Sequence, residues 1–201
     1  MRRPAILYGA AAALLLAEAA VFGLSLVPNV DPAYRAFYID RTTDCYPLPV
    51  SGQYALGTWL GFDDASRPLR DSVTRCGWRD PAREGSWTDG QLTMLRFRIG
   101  DLASDLVLEI EARPYIDGQQ KRQLVELSAN GVALAPLRFN KPNTTTMQLT
   151  IPSAAVAAGN GVLDLELRFP NARSPYDLGL SPTDKRIYGL FVYKLRLSAA
   201  S

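Results

Sequence analysis

GVLDLELRF, residues 161–169, alternates without a break. Leu163, Leu165, Leu167 and Phe169 fall on one side of an extended chain and Asp164, Glu166 and Arg168 on the other, whereas a helix would scatter the same leucines around its axis. The pattern predicts a strand with one buried and one wetted face. Upstream, LVELSANGVAL, residues 124–134, sets Asn130-Gly131 between two apolar runs. A two-residue type I′ turn needs positive φ at both central positions, which asparagine and glycine tolerate, so this pair predicts a tight hairpin. Runs of similar kind lie at 54–62, 91–99, 105–114, 121–129, 132–139, 145–151 and 187–198, with turn residues between them. In the exported part only 153–159, after Pro152, has the makings of a helical turn. Many short strands with no helices between them predict an all-β fold, a two-sheet sandwich of jelly-roll type.

The N-terminus is different in kind. Met1-Arg2-Arg3 precedes an apolar run from residue 5 to 27, broken only by Glu18, Ser25 and small residues. Roughly 20 helical residues cross a bilayer core of about 30 Å, and arginines favour the cytoplasmic side. One transmembrane helix with an exported C-terminal part is expected. A cleaved signal peptide is the competing reading, with 5–16 as its apolar region and Ala17-Glu18-Ala19 as a small-x-small cleavage signal. An uncleaved anchor is preferred, because Val21, Phe22, Leu24, Leu26 and Val27 would otherwise be left as an apolar tail. The expected organisation is a signal anchor at 1–27, a proline-bearing linker at 28–49 and an exported β-sandwich domain at 50–201. Gly9, which opens a run of small residues, and Glu18, a carboxylate inside the apolar segment, are candidates for docking a membrane partner. Small and ionisable residues within spans more often face another helix than lipid.

The 201 residues include no histidine, 22 Lys+Arg against 20 Asp+Glu, and two cysteines. Without an imidazole, Ser/His/Asp and Cys/His triads and histidine-bearing zinc sites are excluded. The balanced charge, with no basic stripe, gives nucleic acid no footing. The sequence has no nucleophile elbow, no phosphate-binding loop and no Asp-x-Asp-x-Asp-Gly calcium loop. We therefore expect no cofactor, no metal and no catalysis. Loop carboxylates such as Glu84 and Asp184 leave an exported glycan hydrolase or lyase as the weakest alternative. In an oxidising compartment Cys45 and Cys76 can form one disulfide; two buried thiols are the other state open to them.

Two polar tracts stand out against the strands. GWRDPAREGSWTDG, residues 77–90, sets two tryptophans among glycines, arginines and carboxylates, and SPYDLGLSPTDKRIYG, residues 174–189, leads into the last apolar run. Flat Trp or Tyr faces against sugar C–H surfaces, with Arg, Asp and Glu bonding hydroxyls, make a carbohydrate site. Trp78, Trp87, Arg79, Glu84, Tyr176, Asp184 and Arg186 are the candidate carbohydrate-binding residues. The tryptophans can equally close one end of the sandwich, and an ion pair between Asp184 and Arg186 can equally pin the entry to the last strand.

On these tracts the chain resembles a family of bacterial carbohydrate-binding-module-like β-sandwich domains, fused to or encoded beside membrane glycosyltransferases and other envelope-polysaccharide machinery. The residues that carry the resemblance are Gly77-Trp78, Glu84, Gly85-Ser86-Trp87 and Gly90, then Asn130-Gly131. Ser174-Pro175, Leu178-Gly179, Ser181, Asp184, Arg186 and Gly189 complete it. The resemblance implies a non-catalytic accessory subunit in the bacterial inner membrane, with a cytoplasmic N-terminus and a periplasmic sandwich that binds or guides a nascent glycan polymer. Its implied partner is a membrane glycosyltransferase or polysaccharide synthase. A structural subunit that docks on such a partner without touching glycan is the alternative.

Overall fold

The computed structural model describes residues 3–25, 30–42, 45–46, 49–50, 52–102 and 104–200. The chain divides into two compact units, Met1–Thr43 and Asp44–Ser201. The first unit holds helix α1 (Arg3–Ser25) and a short helical turn α2 (Pro32–Tyr34) that runs on as a π-helical stretch (Arg35–Ile39). The stretch Tyr8–Ser25, with a mean hydropathy of 1.6, is long and apolar enough to cross a membrane, by length and composition. Gly9 and Glu18 both lie on it. Arg2 and residues 26–27 of the expected anchor lie outside the described residues. Within the expected linker, Pro32 opens a helical turn, where its missing N–H costs nothing.

The second unit runs β1 (Trp59–Gly61), α3 (Arg67–Val73), β2 (Ser86–Asp89), β3 (Leu92–Arg98), β4 (Leu106–Pro114), β5 (Gln123–Ala129), β6 (Val132–Ala133), β7 (Leu137–Phe139), β8 (Thr145–Ile151), α4 (Ser153–Ala157), β9 (Val162–Arg168) and β10 (Tyr188–Ala199). One sheet has the order β1-β10-β4-β8, with β2 also on β10; the other has β3-β9-β5-β6, with β7 also on β5. All these strand pairs are antiparallel. From β3 to β5 and again from β7 to β10 the chain changes sheet at each connection, which is the jelly-roll path. Between the sheets lie Leu163, Leu165 and Leu167 of β9, Leu95 and Phe97 of β3, and Leu106, Leu108 and Ile110 of β4, all buried. Each set is spaced by two, so burying one side of each strand builds one continuous core.

At the hairpin Asn130 has φ 48° and Gly131 φ 79°, and Ala129 pairs with Val132, as a two-residue turn requires. Beyond it the expected strand 132–139 is broken: Pro136, which has no N–H to give, separates β6 from β7, and both pair with β5. The expected strand 54–62 shrinks to β1, because the chain turns at Gly57 (φ 84°). Strand β2 lies inside the first polar tract, where the sequence offered no apolar alternation. Its buried side carries hydroxyls instead: Thr88 Oγ1 accepts from the N–H groups of Gly189 (3.2 Å) and Leu190 (3.0 Å), and Ser86 Oγ donates to the Arg79 carbonyl (2.7 Å). Thr88 thereby satisfies the amides at a register break in β10, so the polar strand is buried without orphaned groups. Of the two states open to Cys45 and Cys76, the structure has the disulfide.

Candidate functional site

Strand pairing brings the two polar tracts to one end of the sandwich. The C-terminal ends of β2, β4 and β9 and the N-terminal ends of β5 and β10 all meet there: Tyr188 pairs with Asp89, Leu190 with Pro114, and Glu126 with Arg168. The connections β4 to β5 (115–122) and β9 to β10 (169–187) close that end, and the Gly90 N–H donates to the Ile187 carbonyl (3.0 Å).

The sequence-predicted residues divide there into separate groups. Trp78 bridges to Thr88, the buried side of β2, so it shares the core side of the sheet. Its ring packs at 4.6 Å on Phe62, and its Nε1–H donates to the Met94 carbonyl (3.1 Å). Trp87 alternates to the opposite side, where Tyr188 (5.2 Å), Phe191 (5.2 Å) and Tyr115 (5.7 Å) surround it and the Arg113 guanidinium lies 5.2 Å from its ring centre. The third tryptophan, Trp59, lies under Lys194 (4.7 Å) and Arg196 (4.5 Å). Each indole therefore already has protein neighbours packed on it.

Arg79 pairs with Asp89 (3.2 Å), with its guanidinium 6.0 Å from the Tyr188 ring centre. Asp184 accepts from Arg186 Nε (2.6 Å) and from the Tyr188 hydroxyl (3.1 Å). The bond from Arg186 holds the Asp184 carboxyl well below the usual carboxylate range, and Asp184 in return raises the Arg186 guanidinium. That is the wrong direction for a general acid, which needs a raised pKa to carry a proton near neutrality. Burial raises the hydroxyls of Tyr188 and Tyr115. Tyr176 is 49% exposed, its N–H donates to the Asp184 carbonyl (2.8 Å), and Lys185 Nζ lies 5.1 Å from its ring centre. Glu84 is exposed and apart from this group. Among the described residues no group of three or more His, Cys, Asp or Glu is placed to hold a metal ion.

Beside this cluster lies a cleft of about 580 Å³, lined by Gln119, Gln120, Lys121, Arg122, Asn171, Arg173 and Leu178. A chain of amides builds one wall. Gln120 Nε2 donates to the Tyr115 carbonyl (2.9 Å) and to Gln123 Oε1 (2.7 Å), and Gln123 Nε2 donates to Asn171 Oδ1 (3.1 Å). Asn171 also accepts from the Leu124 N–H (2.9 Å) and donates to the Arg122 carbonyl (2.7 Å), so it ties the β9 to β10 connection to the start of β5. Gln120 and Gln123 are 7% and 1% exposed, which fixes these groups before anything binds. Nearby Asp177 accepts from Ser174 Oγ (2.6 Å), a bond that lowers its pKa, and Asp117 accepts from the Gly118 N–H (2.6 Å). Sequence reasoning missed the cleft. Its one local trace is the run Gln119-Gln120-Lys121-Arg122, four long polar side chains without an acid among otherwise interleaved charges.

No family model matches the sequence, and a search of curated proteins finds no match. A search of solved structures finds similar chains. A family-36 carbohydrate-binding module of a multidomain xylanase, from the hindgut metagenome of Trinervitermes trinervoides, is 10% identical, covering 72% of this chain and 98% of that one with a TM-score of 0.45. A family-35 carbohydrate-binding module from Paenibacillus barcinonensis is 12% identical, with 72% and 100% covered and a TM-score of 0.39. The insecticidal delta-endotoxin Cry8Ea1 of Bacillus thuringiensis is 11% identical, with 58% and 20% covered and a TM-score of 0.38. At such identities and TM-scores the likeness assigns no function.

Proposed function

We propose that the chain is a membrane-tethered, non-catalytic accessory protein whose sandwich binds glycan in the cleft between residues 119–122 and 171–178. The observation that carries this reading is the cleft's lining: amides, guanidinium groups and an ammonium, with Leu178 as its apolar member. Such groups direct hydrogen bonds to hydroxyls, and no carboxylate, hydroxyl or thiol side chain stands among them to cleave a glycosidic bond. Tyr176, exposed in the same connection, offers part of its ring as a sugar-stacking surface. In this reading Trp78 and Trp87 support the end of the sandwich, and the Asp184–Arg186 pair holds the connection in shape. Binding per sugar is weak, but tethering beside the exit of a polysaccharide-producing enzyme raises the effective concentration of polymer.

Calorimetry of the full chain in lipid nanodiscs against host polysaccharide fragments tests the site. Gln119→Ala and Tyr176→Ala are each expected to weaken binding by roughly three- to tenfold, the size of one lost hydrogen bond or stacking contact. Their melting temperatures should match the wild type. A wild-type protein indifferent to every fragment would sink the reading.

The partner in this proposal is a membrane glycosyltransferase or polysaccharide synthase, with α1 crossing the bacterial inner membrane, the N-terminus cytoplasmic and the sandwich periplasmic. Glu18 favours a docking role for the helix, since a carboxylate among apolar residues is costly against lipid. Replacing 1–27 with an unrelated transmembrane helix is expected to lose partner co-purification and to reduce polymer output. Retention of both would remove the anchor from recognition. Loss of the partner while the Gln119→Ala chain keeps full polymer output would instead favour docking without glycan contact.

A further inference from the structure

The cleft's charge has one sign. Lys121, Arg122 and Arg173 line it, and a second cavity of about 160 Å³ shares Arg122 and Asn171 with it and adds Arg138. The two adjoin at these shared residues, and together their linings hold four cations and no carboxylate. None of the four belongs to an ion pair among the described residues. Three other cavities each include a carboxylate: Asp89 beside Arg168, Asp164 beside Arg96 and Arg98, and Asp101 with no cation. The whole chain has 22 basic against 20 acidic residues, so this segregation is local. The two nearby loop acids, Asp117 and Asp177, accept hydrogen bonds within their own turns and line neither cavity; Asp177 is held low chiefly by its bonds from Ser174 and, to a lesser degree, by the charge of Arg173.

We infer that the groove takes an acidic glycan, one whose sugars carry carboxylate, sulfate or phosphate groups. The inference rests on the reading of the cleft as a glycan site and adds the substrate class. A guanidinium meets a carboxylate through two parallel N–H donors, and such charge-assisted bonds are about twice as strong as neutral ones. Arg122 lines both cavities, so it can engage one anionic group while Arg173 and Arg138 meet the groups on neighbouring sugars. The amides of Gln119 and Asn140 remain for hydroxyls, which distinguishes this groove from a patch that reads charge alone.

The test is calorimetry of the full chain in nanodiscs against polygalacturonate, alginate and dextran sulfate, with carboxyl-reduced polygalacturonate as the neutral counterpart and single-stranded DNA as a non-sugar polyanion. At least one acidic polymer is expected to bind about tenfold or more tighter than the neutral counterpart. The double variant Arg122→Gln/Arg173→Gln should bring that polymer down to the neutral level with an unchanged melting temperature. Arg83→Gln, at an exposed position in the first tract, should leave it unchanged. Equal binding of reduced and acidic polymer would overturn the inference while leaving the glycan reading in place. DNA binding as tightly as the best acidic glycan would overturn the inference in favour of charge alone. Binding to none of the glycans would remove both.

Discussion

Gly77→Ala is expected to cost roughly 2–5 kcal/mol of stability, enough at its upper end to unfold a marginal domain. Gly77 has φ +73°, where an L side chain pays about 1–2 kcal/mol. The larger part comes from space. A Cβ there would overlap the Leu92 carbonyl oxygen and sit 2.8 Å from the Thr93 Cα, both of them backbone atoms of β3. Nothing flexible can move aside, and such overpacking typically costs about 1–3 kcal/mol more. The surrounding bonds tighten the constraint: the Gly77 carbonyl accepts from the Asp89 N–H (2.7 Å) and from Thr93 Oγ1 (2.9 Å). Gly90, at the other end of the same tract, has φ +90° with nothing within 4 Å of an added Cβ, so Gly90→Ala should cost only the conformational part, about 1–2 kcal/mol. Urea unfolding of the two variants in micelles checks the difference, with a lowered midpoint and an unchanged slope for both. Equal losses would show that close approach at Gly77 contributes nothing.

That contrast bears on how much the sequence could say. The β9 alternation and the Asn130-Gly131 turn were legible because each is local: period-two burial and paired positive φ need only neighbours in the chain. Strand β2 was hidden because Ser86 and Thr88 take the buried side and the partners of Thr88 lie in β10, about a hundred positions on, a relationship no window of sequence displays. The tryptophans were legible as a type but not as an environment. Trp78 and Trp87 are nine residues apart in one tract, yet strand alternation sends one to Phe62 and the other to Tyr188. The groove was least legible of all. Asn171 reaches Gln123 across 48 positions, and the cations gather only when the β4 to β5 and β9 to β10 connections close the same end.

Loss of the Cys45–Cys76 disulfide is expected to lower stability by about 3–4 kcal/mol, from the chain entropy that a loop of this length returns to the unfolded state. The bridge spans 31 positions and joins the entry of the sandwich to the residue before Gly77. Cys45 is 2% exposed whereas Cys76 is half-buried, so one end of the bridge is enclosed by the fold. The segment it tethers has further holds: Arg75 and Arg98 donate to the carbonyls of Pro49 and Val50 (both 3.3 Å), and the Tyr54 N–H donates to the Arg98 carbonyl (2.7 Å). These bonds should let the double variant Cys45→Ser/Cys76→Ser fold to the same structure with a lower unfolding midpoint. The comparison is urea unfolding of wild type with and without dithiothreitol, alongside the double variant in both. Reduced wild type and the variant should coincide, and oxidised wild type should stand above them. Four coincident curves would show that the crosslink adds no stability. The expected gap also links stability to compartment: a sandwich held in a reducing cytoplasm would fold without this contribution, and one exported to an oxidising space would have it.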